Sequence, residues 1–296
     1  MNSKSDQVGI LHLGDLGSGM AVLMQQNPML KLFTCTAGRS DATRARASSL
    51  AITDVESLEE LLDKCGTVLS VVPPDVAPQI AQQCAKFKRA SDQECLFIDM
   101  NSIGIPALHA VQETVLSAGF RFANATVHGN AQHLGTMGVI YTSGEHAADV
   151  GRLYTGLIRI DNLGPQTEQA TYMKLLMGGQ SKSLCVLFLE LANVAAKLGM
   201  LDSFLAEQRA FYPAIFEAIT RMLPTYPGHA QRRVHELRGI SQLCRDSGHD
   251  ERLFNVLAER LQTASEGWSR TSPSATTVKA VILSSTPNES GTNEKD

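Results

Sequence analysis

The sequence has no excess of basic charge, no C-x-x-C pair, no internal repeat and no long uninterrupted apolar run. Each absence removes a class of protein. With 26 Lys and Arg against 30 Asp and Glu, the formal net charge is −4. Nucleic acid is therefore not an expected partner, because phosphate recognition needs a basic face. No apolar run reaches the roughly 18 residues of a membrane span, so no membrane association is expected. The six cysteines, Cys35, Cys65, Cys84, Cys95, Cys185 and Cys244, are scattered through apolar or helical contexts. That argues against a disulfide or zinc framework and for a reducing compartment, read here as the cytoplasm. Residues 1–7 are polar and lead straight into an apolar stretch, unlike a signal peptide. No metal site is expected.

What is present is an alternation of short apolar runs and helical patterns. The first unit is residues 8–20, Val-Gly-Ile-Leu-His-Leu-Gly-Asp-Leu-Gly-Ser-Gly-Met. Its apolar run, 8–13, turns through Gly14, Gly17 and Gly19 into a helix over 21–26. Further strands are predicted over 32–36, 50–53, 67–72, 96–99, 122–127, 139–143 and 159–162. Helices are predicted over 41–48, from a Ser57/Glu60 capping box to about residue 64, over 75–87, and from Pro106 to 117. This βαβ spacing favours an α/β fold with a parallel sheet covered on both faces. After Gly164-Pro165 the pattern becomes wholly helical, over 167–198, 201–222, 229–247 and 251–263. At 296 residues the chain suits two domains, 1–164 and 165–285. Residues 286–296, polar and aperiodic, read as a disordered tail.

In a doubly wound sheet, ligands bind beyond the carboxyl ends of the strands. The glycine turn after the first strand suits a dinucleotide, whose pyrophosphate approaches bare N–H groups at a helix N-terminus. The glycine slots of the fingerprint fall on His12, Gly14 and Gly17, so its first glycine is absent. An acid that would hold the ribose 2′-OH of NAD is missing from the end of the second strand. Gly38, Arg39 and Ser40 stand there instead, with Arg44 beyond them. A guanidinium beside a hydroxyl suits a 2′-phosphate, so NADP(H) is favoured. The alternative is a solvated surface arginine.

Lys174 stands early in the long helix among apolar residues, sharing a face with Gly178, Ser181 and Cys185. Two adjacent glycines, Gly178 and Gly179, cost a helix about 1 kcal/mol each and imply close approach of a cofactor or another backbone. A lysine beside such a notch can exchange a proton with a substrate oxygen. Lys182 is its rival, rotated about 80° away. Asn101 and Ser102, and the turn His128-Gly129-Asn130, follow buried strands and offer hydrogen bonds to a polar substrate. His229, Arg232, Arg233 and Glu236 form a charged group, read as a solvated face or an anion or dimer contact.

With these residues assembled, the chain resembles the β-hydroxyacid dehydrogenase superfamily. The likeness is to its 6-phosphogluconate-dehydrogenase-like branch with a C-terminal domain of unknown function, and it extends over about residues 8–264. The motifs are Gly14-x-x-Gly17-Ser18-Gly19-Met20, Gly38-Arg39-Ser40, Ser70-Val71-Val72-Pro73-Pro74, Ile98-Asp99-x-Asn101-Ser102, Thr171-x-x-Lys174 with Lys182, and His229-x-x-Arg232-Arg233-x-x-Glu236. The resemblance implies a Rossmann domain, an all-helical domain that commonly dimerises, and an interdomain active site. The implied pyrophosphate loop comprises Gly14, Asp15, Leu16, Gly17, Ser18 and Gly19, followed by Met20. Val72, Pro73 and Pro74 would lie near the nicotinamide ribose, with Asn101 among the cofactor residues. Lys174 is the implied catalytic group. The substrate residues would be Ser102, His128, Gly129, Asn130 and Gly178.

The chain departs from the superfamily at His12, at His128 in place of Ser, at Gly178 in place of Asn and at Glu168 in place of Gly. These changes alter the groups that would hold a β-hydroxyacid carboxylate. The leading expectation is an NADPH-dependent reductase of a carbonyl or hydroxy-acid substrate that works as a homodimer. An imine reductase, a decarboxylating hydroxy-acid dehydrogenase and a non-catalytic NADP-binding sensor or scaffold remain alternatives.

Overall fold

A computed structural model of the chain describes residues 4–87, 95–129, 134–271 and 277–285. The expected tail, 286–296, lies outside them. The chain divides into two compact units, residues 1–174 and 175–296.

The first unit is an eight-stranded sheet in the order β3-β2-β1-β4-β5-β6-β7-β8. The strands are β1 (Gln7–Ile10), β2 (Lys31–Thr34), β3 (Thr53–Asp54), β4 (Thr67–Ser70), β5 (Leu96–Asp99), β6 (Arg121–His128), β7 (Val139–Ser143) and β8 (Arg159–Asn162). Chain order reverses direction across the sheet at β1, which has β2 on one side and β4 on the other. That is the topological switch point where α/β sheets bind ligands. All pairings are parallel except β6 with β7. The fully buried runs of β4, β5 and β7 are what a sheet covered on both faces requires. Two apolar clusters, one on each face, supply that cover. Val8, Ile10, Leu69 and Ile98 point into one, and Val68, Phe97 and Phe122 into the other.

The crossover helices are α1 (Asp15–Met24), α2 (Asp41–Ser49), α3 (Leu58–Lys64), α4 (Ala77–Ala85) and α5 (Ile105–Ser117). Ser57 caps α3 by accepting from the Glu60 N–H at 3.1 Å, as the capping box predicts, while the Glu60 carboxylate takes the N–H of Glu56, one residue before the cap, at 2.9 Å. Two short helices, α6 (Leu134–Met137) and α7 (Ala147–Leu153), were not legible in the sequence. Helix α1 begins at Asp15, six residues earlier than its apolar pattern suggests, because Gly17 and Gly19 lie inside it.

Helix α8 (Gln169–Lys197) is the long helix expected from the sequence. It is followed by α9 (Leu201–Phe211), α10 (Pro213–Met222), α11 (Ala230–Asp246), α12 (Arg252–Thr271) and α13 (Val278–Ser285). The single helix expected over 201–222 is broken at Pro213, which starts α10. Among the described residues α8 is the one helix long and apolar enough, by length and composition, to cross a membrane. Its Cys185, Val186, Phe188, Leu189 and Ala192 are instead core residues of the helical unit.

The boundary between the units falls ten residues beyond Gly164, and polar bonds account for the difference. The Thr167 carbonyl accepts from Asn124 Nδ2 (2.7 Å) and Ser143 Oγ (2.7 Å). Ser143 Oγ in turn accepts the Ala170 N–H (3.0 Å), and Thr126 Oγ1 donates to the Ala170 carbonyl (2.9 Å). Asn124 Nδ2 also reaches Thr171 Oγ1 (2.9 Å). The first turn of α8 is thus bound to β6 and β7.

Candidate functional site

Past the end of β1 the chain turns at Gly14, which opens α1 with extended backbone and no side-chain cap. The first-turn N–H groups of α1 are left for an anion. Gly17 is obligatory here: a Cβ at this position would lie 2.1 Å from the His12 carbonyl oxygen. The close-approach and packing slots of the dinucleotide turn are therefore both glycine, and the geometry fits a pyrophosphate. The His12 ring folds back against the turn, with Nε2 3.1 Å from where a Gly14 Cβ would stand. Its Nδ1 is buried without a hydrogen-bond partner among the described residues. Burial first, then the Arg39 and Arg46 charges, hold the imidazole below its ordinary pKa.

Gly38 adopts φ +71°, which makes the turn that presents Arg39. Arg39 enters no ion pair among the described residues. Ser40 is committed locally: its hydroxyl caps α2 by accepting from the Thr43 N–H. Arg44 pairs with Asp41 and donates to the Arg39 carbonyl. Two residues escaped the sequence reading. Arg46 reaches from α2 to the Leu13 carbonyl (3.2 Å) and to Asp15 (3.3 Å). An acid does stand at the end of β2, but it arrives from β3. Asp54 accepts from both the N–H and the hydroxyl of Thr36, and both its oxygens are engaged.

Val72 ends the apolar run of β4, and Pro73 and Pro74 follow it exposed at the sheet's carboxyl edge. Asn101, expected to face the cofactor, is a brace instead. Its Oδ1 accepts the Val72 N–H (2.7 Å) and its Nδ2 donates to Ser70 Oγ (2.9 Å). Its own N–H donates to Asp99 Oδ1 (2.7 Å). Only 4% of the Asn101 surface is exposed, so its influence on a ligand passes through the Val72 backbone. Burial raises the Asp99 carboxyl to a pKa of about 7, and its Oδ2 has no hydrogen-bond partner among the described residues.

Ser102 comes next along the edge. Lys174 Nζ donates to Ser102 Oγ at 2.7 Å. The sequence-predicted proton donor and one predicted substrate residue thus meet beyond β5. His128 closes β6 and Gly129 follows with φ +141°. Asn130 lies outside the described residues.

Gly178 belongs to the helical unit, and its notch is filled from within. Lys182 folds back one turn, donating to the Gly178 carbonyl (3.1 Å) and pairing with Glu236 (2.8 Å). A Cβ on Gly178 would meet Lys182 Nζ at 2.9 Å, and one on Gly179 would meet the Ile240 side chain at 3.0 Å. Among the described residues, the side chains that approach the double glycine are Lys182 and Ile240, both of the helical unit. Lys182 is held in an ion pair. Arg233 lies over the Tyr226 ring at 3.9 Å.

Residues 7–150 match the family described as the NAD binding domain of 6-phosphogluconate dehydrogenase. Residues 195–264 match a domain of unknown function, DUF1932. A conserved hypothetical protein from Sinorhizobium meliloti 1021 has a similar solved structure, with a TM-score of 0.73 at 19% identity over 96% of this chain and 97% of that one. The 3-hydroxyisobutyrate dehydrogenase of Mycobacterium tuberculosis, solved with L-serine, gives 0.70 at 15% identity, over 94% and 98%. The reductive aminase of Aspergillus terreus, in complex with NADPH and ethyl levulinate, gives 0.57 at 14% identity, again over 94% and 98%. At these identities the likeness is one of fold. The nucleotide-binding turn and the sheet topology agree with the matched segments: residues 7–150 form an NAD binding domain of the 6-phosphogluconate dehydrogenase type, and residues 195–264, in the helical unit, match DUF1932.

Proposed function

We propose that the protein is an NADPH-dependent oxidoreductase acting on a small carbonyl or hydroxy-acid substrate, with Lys174 as its proton donor and acceptor. The observation that carries the reading is the Lys174–Ser102 contact at the carboxyl edge of the sheet. When bound, the nicotinamide supplies or accepts the hydride. The α1 N-terminus with Gly14 and Gly17 would hold the pyrophosphate, and Arg39 a 2′-phosphate. Asp54 is engaged by Thr36, which supports NADPH over NADH. Lys174 can protonate a forming alkoxide in reduction and remove the same proton in oxidation. Ser102 accepts a hydrogen bond from the ammonium and so limits where it can point.

The test is consumption of NADPH and of NADH with panels of carbonyl compounds, hydroxy acids and preformed imines, for wild type and Lys174→Ala. Turnover with a carbonyl that disappears in the variant supports the reading. Equal turnover in the variant refutes the role of Lys174, and activity confined to imines favours an imine reductase. NADPH binding with no turnover of any panel member favours a sensor or scaffold.

The exposed apolar residues Leu187, Leu191, Val194 and Leu198 follow helical spacing at the end of α8. They support a homodimer through the helical unit. None of the six cysteines forms a disulfide, which supports a cytoplasmic setting.

A further inference from the structure

Resting on the cofactor reading above, we infer that His12 is itself a cofactor-binding side chain, which takes up a proton as the phosphates of NADPH arrive. The position is the one where the dinucleotide fingerprint has its first glycine, and an imidazole there must lie somewhere. It lies on the turn itself, over Gly14 and at the mouth of the α1 N-terminus. A Cβ at Gly14 would crowd it, at 3.1 Å from Nε2. The ring therefore borders the space that the turn offers to a pyrophosphate.

The charges facing it come from three neighbouring elements. Arg39 follows β2, Arg46 projects from α2, and both lower the basicity of the ring. Asp15, at the start of α1, is 3.3 Å from Arg46 and offsets part of that guanidinium. Without cofactor, two cations and partial burial keep the imidazole neutral. A dinucleotide phosphate reverses the balance, because anionic oxygens attract all three cationic groups at once. The pKa of His12 then rises on binding. By linkage, affinity must weaken as pH increases between the free and the bound pKa, by up to about tenfold per pH unit. No bond is made or broken; one proton passes from solvent to the ring.

The experiment is isothermal titration of NADPH into wild type, His12→Gly and His12→Asn. It is run at pH 6–8 in buffers of different ionisation enthalpy, so that the proton count per binding event can be read. NADH, which lacks the 2′-phosphate, is titrated in parallel because that phosphate titrates in the same range. The expected result is a proton uptake by wild type that exceeds both variants with either cofactor, and a flatter pH dependence of Kd in the variants. Equal proton counts in wild type and in whichever variant folds would overturn the inference while leaving the cofactor site intact. No binding of either cofactor by wild type would overturn the cofactor reading and the inference with it.

Discussion

Lys174 and Ser102 lie 72 residues apart in sequence and 2.7 Å apart in space. The serine is fixed by the end of β5, the lysine by a helix whose first turn is bonded to β6 and β7. The contact joins two segments of the first unit, and its serine end is exposed.

Lys174→Ala should retain NADPH binding and lose about 10²–10⁴-fold in kcat on any accepted carbonyl. Ser102→Ala should cost less, because it releases the lysine without removing it. Fluorescence titration of NADPH and initial rates separate the two effects. A Lys174→Ala protein that fails to bind NADPH would indicate a role in cofactor binding instead.

Gly17→Ala should be among the most damaging single changes in the first unit. Its Cβ would overlap the His12 carbonyl, so the turn must shift. A stability loss of about 1–3 kcal/mol and a larger loss of NADPH affinity are expected, read by denaturant melts and titration. Gly151→Ala, where nothing stands within 4 Å of the added carbon, is the control.

Asn101→Ala should destabilise the protein by about 1–3 kcal/mol, since it strands the buried Val72 N–H. It should also weaken cofactor binding by loosening the residues after β4. Asn101→Asp restores the acceptor for Val72 but not the donor to Ser70, and should recover only part of the loss. Urea melts of the three proteins order them directly.

Asp99 gives a pH dependence of stability with a defined sign. Its folded pKa, about 7, lies above its unfolded value. The folded state therefore holds a proton that the unfolded chain has already released. Stability from this group is full below the unfolded pKa near 4 and is lost as pH rises to about 7. Asp99→Asn removes the titration. Wild type should lose stability relative to this variant between pH 5 and pH 7.5, with no further divergence above pH 8. Parallel melting profiles across that range would contradict the assignment.

Leu187→Glu combined with Leu191→Glu should give a monomer if the exposed stripe of α8 is a subunit interface. Both side chains are about half exposed, at 54% and 48%, so a charge there costs the folded helical unit less than one in its core. Sedimentation velocity of wild type and variant measures the difference.

The alternation of buried strands and helices was legible because a sheet covered on both faces demands continuous apolar runs, and β4 and β5 carry them. The turn at Gly14 and Gly17 was legible because turn geometry is a local signal. The rest depends on contacts between distant residues. Asp54 reaches the end of β2 through strand pairing, 18 residues from Thr36. Asn101 reads as a ligand-facing amide until its oxygen and nitrogen are seen to be taken by Val72 and Ser70. The double glycine of α8 signals close approach, but the sequence does not say that the approaching groups are Lys182 and Ile240. Pro213 divides one helical pattern into two helices because proline also begins helices.

The first turn of α8 is fastened by hydroxyls and an amide: Asn124, Thr126 and Ser143. The address of Lys174 is therefore written in directional bonds rather than in apolar contact. Trimming a methyl group from the sheet's apolar clusters would lower stability yet leave the lysine pointing where it does. Exchanging Ser143 for alanine would remove less volume and disturb the placement of Lys174 more. These polar positions on the two antiparallel strands are where the direction of that lysine is set.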